Sequence, residues 1–228
     1  MKIKKIWSYW DGPSPDLNKM CFLSWKKQLP DWDIKILNKD TIKNYNIIKP
    51  NNYESLTSTT KSDIIRLNLL YTHGGVWMDA SIYLTENLNW LESYNKYPLM
   101  GFKLKNISYM ESWFIAVFKK ESKIIKLWLD TLISILNTKP MSMHPAMKED
   151  LSDNYFMVYK AYLFLLKTNT YFKTQVENIP FIKHKFFHWY TPFIPIDKNE
   201  KLVKFTKTCR KNYKFIKYPM GYIYIIIL

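Results

Sequence analysis

Cysteine is nearly absent from this chain of 228 residues, with only Cys21 and Cys209. Two cysteines cannot make a disulfide framework, and no CxxC pair or Cys/His cluster has the spacing of a zinc site. A reducing, cytoplasmic setting is the expectation. Long apolar runs are missing as well. No segment reaches the roughly 20 apolar residues of a membrane span, and the apolar stretch Tyr222 to Leu228 is too short to cross a bilayer. The opening MKIKKIWSYWDG carries charge but no long apolar core and no small-residue cleavage site, so it does not read as a signal peptide. Arginine is the other scarcity, with only Arg66 and Arg210. Because arginine is the better bidentate reader of phosphate and guanine, specific nucleic-acid recognition is disfavoured. No Gly/Ser linker, internal repeat or low-complexity tract divides the chain, which reads as one domain over residues 1–228.

Lysine, isoleucine, asparagine and aromatic residues are abundant instead. Lys and Arg number 34 against 19 Asp and Glu, for a formal net charge of +15, and aromatic residues make up 17%. Two readings of the basic balance stand side by side. Lys, Ile and Asn share AT-rich codons, so genome composition alone accounts for much of it. Alternatively, the charge attracts anionic partners: nucleotide-sugars, a membrane surface or nucleic acid. A composition of 47% hydrophobic and 23% charged residues excludes a disordered chain, a collagen and a coiled coil. The length suffices to bury roughly 70% of the unfolded surface.

Hydrophobic spacing predicts an α/β fold. Ile3 to Tyr9 suits a strand, ended by the turn Asp11-Gly12-Pro13. Leu17 to Leu29 has helical spacing, and Trp32 to Leu37 alternates as a strand, so the chain opens β-α-β. After the polar stretch Asn38 to Thr59, Thr60-Lys61-Ser62-Asp63 reads as a helix start, with Asp63 in the first turn where the helix dipole favours a carboxylate. Ile64, Leu67, Leu70 and Tyr71 continue at helical spacing, and Gly74-Gly75 stops the helix. Val76 to Leu84 then reads as one strand, with Asp79 and Ser81 on the same side because strand periodicity is two. A carboxylate in an apolar strand is costly unless it is paired or bound to a cation. Further on, Trp113 to Phe118 is an apolar run, and Ser122 to Leu136 and Tyr155 to Leu166 suit helices. From Asn169 the short runs broken by Pro180, Pro192 and Pro195 read as a strand-and-loop cap. Met220 to Leu228 suits a last strand on the sheet or an interfacial contact.

The chemistry concentrates in residues 62 to 81. Asp63 and Arg66, three apart, share a helix face; in isolation such a pair would be a surface ion pair worth a few tenths of a kcal/mol. Joined by a Gly-Gly turn to a strand carrying Asp79 and Ser81, they suit a polyhydroxylated, phosphorylated ligand. Arg66 can pair with phosphate or carboxylate, and Asp63 can accept from sugar hydroxyls.

The run Ser62-Asp63-x-x-Arg66, then Leu70-Tyr71-x-x-Gly74-Gly75, then Trp77 and Asp79-Ala80-Ser81, resembles the core motif of glycosyltransferases with the nucleotide-diphospho-sugar fold called GT-A. It is most similar to the capsular polysaccharide synthesis group, with the family 32 sugar transferases and the clostridial glucosylating toxins as more distant relatives. Lys5-Ile6-Trp7-Ser8-Tyr9-Trp10-Asp11-Gly12 resembles their first strand and turn. The likeness covers mainly the first half of the chain. It implies a single GT-A domain in which residues 1–100 bind the nucleotide-sugar and residues 101–228 form the acceptor side and a C-terminal cap.

The resemblance also implies roles. Trp10 would stack on the nucleotide base, with Trp7 as second choice. Asp63 would bind sugar hydroxyls beside Ser62, Arg66 would contact the sugar or its phosphate, and Asp79 would sit at the diphosphate and a divalent cation, Mn²⁺ or Mg²⁺. Ser81 replaces the second acid of the D-x-D pattern, and a hydroxyl is a much weaker metal ligand. His184 and His188 are further candidates for the metal or diphosphate, and Lys185 for balancing phosphate charge. Glu111 would lie near the donor sugar and acceptor, and Asp153 would hold the acceptor. The activity implied is hexose transfer, with retention by likeness to family 32, from a nucleotide-diphosphate sugar to a glycan or lipid-linked glycan. The setting implied is surface or capsular polysaccharide synthesis, with peripheral contact at the inner face of a membrane. Two other readings remain: a glycan- or nucleotide-binding module that has lost turnover, and a basic nucleic-acid-binding protein.

Overall fold

The computed structural model describes residues 4–103, 107–138, 156–183, 193–195, 201–205, 214–217 and 223–226. Strand β1 (Lys5–Tyr9), helix α1 (Asp16–Gln28) and strand β2 (Asp33–Leu37) form the expected β-α-β opening, with β1 and β2 parallel. In β2, Asp33 and Lys35 face water while Ile34 and Ile36 are at least half-buried, the phase that the alternation predicts; Leu37, on the side of Asp33 and Lys35, is buried as well. Two short 3₁₀ turns lead to α2 (Ser58–His73), which returns the chain to β3 (Gly75–Met78) on the other side of β1, again parallel. The chain thus leaves β1 for one neighbour and comes back to the opposite one. The carboxyl end of β1 is a topological switch point, where an open α/β sheet forms its ligand crevice.

Helix α2 begins two residues before the predicted start. Thr57 is its cap, with Oγ1 accepting from the Thr60 amide at 3.2 Å. Asp63 therefore lies beyond the first turn, and its neighbours have to account for it in place of the helix dipole. At the other end Gly74 and Gly75 have φ of +63° and +97°. A Cβ on Gly75 would lie 2.8 Å from the Lys5 carbonyl oxygen, so both the turn and the close approach to β1 require glycine.

The segment Val76 to Leu84 is not one strand. β3 ends at Met78, the chain turns through Asp79–Ser81, and β4 (Ile82–Leu84) joins a different sheet. The break has a tertiary cause. Trp25 Nε1 of α1 donates to the Ile82 carbonyl at 2.7 Å, Ser24 Oγ accepts from the Leu84 amide at 3.0 Å, and Gln28 Nε2 donates to the Thr85 carbonyl at 3.0 Å. Helix α1 thereby draws β4 out of the plane of β3.

Strands β5 (Met100–Lys103) and β6 (Phe114–Val117) and the two-residue β7 (Ile182–Lys183) complete a six-stranded mixed sheet ordered β2-β1-β3-β6-β5-β7. Helix α3 (Lys123–Asn137) follows the predicted periodicity and packs on α2 and on α4 (Met157–Thr168). A further helix, α5 (Thr170–Glu177), lies where a strand-and-loop region was expected. Asn169 caps it by accepting from the Phe172 amide at 2.8 Å, and Phe172 and Val176, one turn apart, are its buried residues. Beyond it come β8 (Phe193–Pro195), β9 (Leu202–Lys204), β10 (Lys214–Lys217) and β11 (Ile223–Ile226). β9 pairs antiparallel with β4, whereas β11 lies between β10 and β8 in a separate three-stranded sheet and is not a strand of the central one. The fold is a central mixed sheet flanked by helices, as the sequence pattern implied. No helix among the described residues is long and apolar enough to cross a membrane.

Candidate active site

At the carboxyl ends of β1 and β3 a cleft of about 480 Å³ opens, lined by Trp10, Ser62, Asp63, Arg66, Asp79 and Ser81, among others. The residues that the motif singled out thus converge on one wall. Asp63 and Arg66 are not a surface pair: their side chains are 4% and 5% exposed. Arg66 Nη1 donates to Asp63 Oδ1 at 2.7 Å and Nη2 to Asp79 Oδ1 at 3.0 Å, so one guanidinium spans two carboxylates. The guanidinium also lies 4.9 Å from the centroid of the buried Trp77 ring, whose Nε1 donates to Asp79 Oδ1 at 2.9 Å. Trp77 is a packing residue that additionally orients the acid two positions along. Arg66 Nε is buried without a hydrogen-bond partner.

The two carboxyls are held at opposite ends of their range. Burial pushes Asp63 up to about 7, against the pull of Arg66. Burial acts the same way on Asp79, but the charges of Lys204 and Arg66 and the hydrogen bond from Trp77 prevail and hold it down at about 2. Separated acids of this kind are common at functional sites. Asp79 is placed by the sheet: its amide donates to the Trp113 carbonyl at 2.9 Å, just past the β3–β6 pairing.

Glu111 also lines the cleft, and burial raises its carboxyl. Tyr159 of α4 donates to Glu111 Oε2 at 3.1 Å and accepts from Ser112 Oγ at 3.1 Å. Trp10 sits half-buried at the mouth, its Nε1 donating to the Pro13 carbonyl at 3.1 Å. Trp7, the second choice for a base-stacking residue, is elsewhere. Its ring is buried at 1% exposure, Nε1 donates to the Gly74 carbonyl at 2.8 Å, and His73 and Tyr45 pack on it. It fixes the end of α2 against β1. Asp153, His184, Lys185 and His188 lie outside the described residues.

The residue that sequence reasoning missed is Lys204. β9 pairs with β4 so that Lys204 is opposite Ile82, and the Phe205 amide donates to the Ser81 carbonyl at 2.9 Å. Lys204 Nζ then donates to Asp79 Oδ2 at 2.8 Å and to Ser81 Oγ at 2.9 Å. No local signal marks this lysine in a chain so rich in them; the short run Leu202-Val203-Lys204-Phe205 shows no period of its own. Tyr159 is likewise unmarked, one of 17 tyrosines, whereas Ser112 lies beside Glu111 in the run already singled out.

The oxygens that would face a divalent ion are already engaged. Asp79 Oδ1 already accepts from Arg66 and Trp77, Oδ2 from Lys204, and Ser81 offers only a hydroxyl that also accepts from Lys204. Among the described residues no three His, Cys, Asp or Glu side chains converge as metal ligands. As arranged, these residues do not fit a divalent cation.

A central mixed sheet flanked by helices, with a cleft at the switch point, is consistent with a fold of the GT-A type. The likeness to the solved PaToxG glycosyltransferase agrees: TM-score 0.50 at 16% identity, covering 77% of this chain and 73% of that one. The chain belongs to the capsular polysaccharide synthesis protein family, which it matches over residues 1–208. It is also similar to glycosyltransferase afumC of Aspergillus fumigatus, at 29% identity over 55% of this chain and 38% of that protein. A second relative, O-glycosyltransferase braB of Annulohypoxylon truncatum, is 24% identical over 64% of this chain and 41% of its own length. The chain therefore spans about two fifths of the length of these curated relatives.

Proposed function

We propose that the chain is a glycosyltransferase that moves a hexose from a nucleotide-diphosphate sugar, a UDP-sugar being favoured, to a hydroxyl of a glycan acceptor in surface or capsular polysaccharide synthesis. The observation that carries this reading is the Asp63–Arg66–Asp79 chain, buried at Asp63 and Arg66 and opening into the switch-point cleft at Asp79. Membership of a capsular polysaccharide synthesis family and likeness to proteins named as glycosyltransferases support it.

In this reading the base stacks on Trp10, Asp63 and Ser62 accept from or donate to sugar hydroxyls, and Arg66 holds the sugar or its phosphate beside Asp79. The bond from sugar C1 to the diphosphate oxygen breaks and its electron pair stays with the diphosphate. The acceptor oxygen forms the new bond to C1, and its proton passes to the departing diphosphate. Retention needs no separate carboxylate base on the far side of the ring. Glu111, held by Tyr159, belongs to the acceptor side. The lysine excess suits a peripheral stay at an anionic membrane, where lipid-linked acceptors reside.

Thermal stabilisation by UDP-, GDP-, CMP- and dTDP-linked sugars tests the reading. A donor at a hundred times its Kd adds about 2.7 kcal/mol. One donor should raise the Tm, and the shift should vanish in Asp79→Asn. No shift with any of them removes the donor-site reading. Transfer or hydrolysis of the binding donor, lost in Asp79→Asn, separates an enzyme from a binding module.

A further inference from the structure

Between Asp79 and Ser81, where a D-x-D pair would hold a divalent ion, the chain places its own ammonium group. We propose that Lys204 is the built-in cation of this cleft, so that the protein binds a nucleoside diphosphate without a divalent metal. The proposal rests on the donor-site reading above and concerns what supplies its positive charge.

Three observations carry it. First, Lys204 Nζ bridges Asp79 Oδ2 and Ser81 Oγ at 2.8 and 2.9 Å, and all three residues line the cleft. An ion entering between Asp79 and Ser81 would have to expel an ammonium whose side chain is only 16% exposed. Second, the lysine is pre-positioned. Its strand is paired to β4, and the next amide, that of Phe205, is bonded to the Ser81 carbonyl. A charge fixed before the ligand arrives needs no reorganisation when negative charge develops. Third, Ser81 is neutral. A carboxylate there would add negative charge to the wall that must receive a diphosphate, whereas a hydroxyl accepts from the ammonium and adds none. Lysine binds phosphate as a point charge. When the C1–O bond breaks and its electron pair stays on the diphosphate, an ammonium beside it offsets the charge that a bound ion would otherwise meet.

Calorimetric titration of UDP, GDP and dTDP into the full chain, once in EDTA and once in Mn²⁺, tests this. One nucleoside diphosphate should bind the wild type with the same affinity in both buffers. In EDTA, Lys204→Met should bind about 10- to 100-fold more weakly, the loss of one charge-assisted contact, and Lys204→Arg should retain most of the affinity. Mn²⁺ should restore part of the loss in Lys204→Met, because Asp79 Oδ2 and Ser81 Oγ are then released. A merely structural lysine would not produce that gain. Wild-type binding that EDTA abolishes and Mn²⁺ restores overturns the proposal and leaves the donor-site reading intact. Undiminished binding by Lys204→Met in EDTA overturns it as well. Failure of all three nucleotides in both buffers overturns the donor-site reading and the proposal together. The wild-type comparison decides even if Lys204→Met does not fold.

Discussion

Replacing Arg66 by methionine keeps a long apolar stem in the core but removes the guanidinium that spans Asp63 and Asp79. Asp79 retains Lys204 and Trp77. Asp63, with its side chain 4% exposed, loses the cation at 2.7 Å. Removing one partner of a buried ion pair costs about 3–5 kcal/mol because the other charge is left uncompensated, a large share of the roughly 5–15 kcal/mol that holds a domain folded. The cost should depend on pH, and the sign follows from Asp63. Its folded carboxyl is raised from the ordinary 3.8 to about 7 by burial. The native state therefore keeps a proton that the unfolded chain has released. The stability this contributes is complete below about pH 4 and is lost as the pH rises through about 7. Without Arg66 the carboxyl rises further, so the variant suffers most at pH 8. At pH 5 Asp63 is neutral in both proteins, and the cost falls to the charge-assisted bond to Asp79, about 1.5–3 kcal/mol, together with the weaker bond to the neutral Asp63 carboxyl and the contact with Trp77. Urea unfolding of wild type and Arg66→Met at pH 5 and pH 8 measures both values. Adding Asp63→Asn to Arg66→Met should recover part of the pH 8 loss, a non-additivity expected of touching residues. A loss below about 1 kcal/mol at pH 8, the range of an exposed pair, or a loss no larger at pH 8 than at pH 5, would refute the reasoning.

Two further variants probe the frame around the cleft. Gly75→Ala should lower stability in urea by about 1–3 kcal/mol from the positive φ alone, and by more because its Cβ would meet the Lys5 carbonyl at 2.8 Å; a neutral result would refute the close β1–β3 approach. Trp7→Phe should cost about 1–3 kcal/mol by orphaning the buried Gly74 carbonyl while leaving nucleotide affinity unchanged, and weakened nucleotide binding at intact stability would return Trp7 to the list of base-stacking candidates.

What was legible in the sequence was local. Helix α2 and its stop could be read because apolar residues at helical spacing end at a glycine pair with positive φ. Its start was placed two residues late because Thr57-Ser58-Thr59-Thr60 offers several equivalent caps, and only the bond from the Thr60 amide to Thr57 distinguishes them. Asp63, Arg66 and Asp79 were singled out together because their spacing matched a family pattern, and the cleft brings all three onto one wall. The run from Val76 to Leu84 reads as one strand because it is apolar throughout apart from Asp79 and Ser81 and holds no glycine or proline to mark a break. The break at Asp79 arises from Trp25, Ser24 and Gln28, which grip β4 from 57 to 60 residues away. No window of ten residues contains that information. The same holds for α5, whose two buried residues are too few to impose a visible period.

The turn at Asp79–Ser81 is also what makes Lys204 possible. Had the strand run on in the central sheet, β4 would have had no free edge for β9, and a lysine 125 residues from Asp79 would not have reached it. The charge balance explains why that matters. Within the ion-pair chain, Asp63 and Asp79 balance Arg66 and Lys204 when all four are ionised, and the raised carboxyl of Asp63 lessens the negative share near neutral pH. With an acid at position 81 and no lysine at 204, three carboxylates would face one guanidinium, and a diphosphate could enter only with a cation alongside. Serine at 81 and lysine at 204 therefore act as one device. The first removes a negative charge, the second supplies a positive one, and the break in the strand lets them meet.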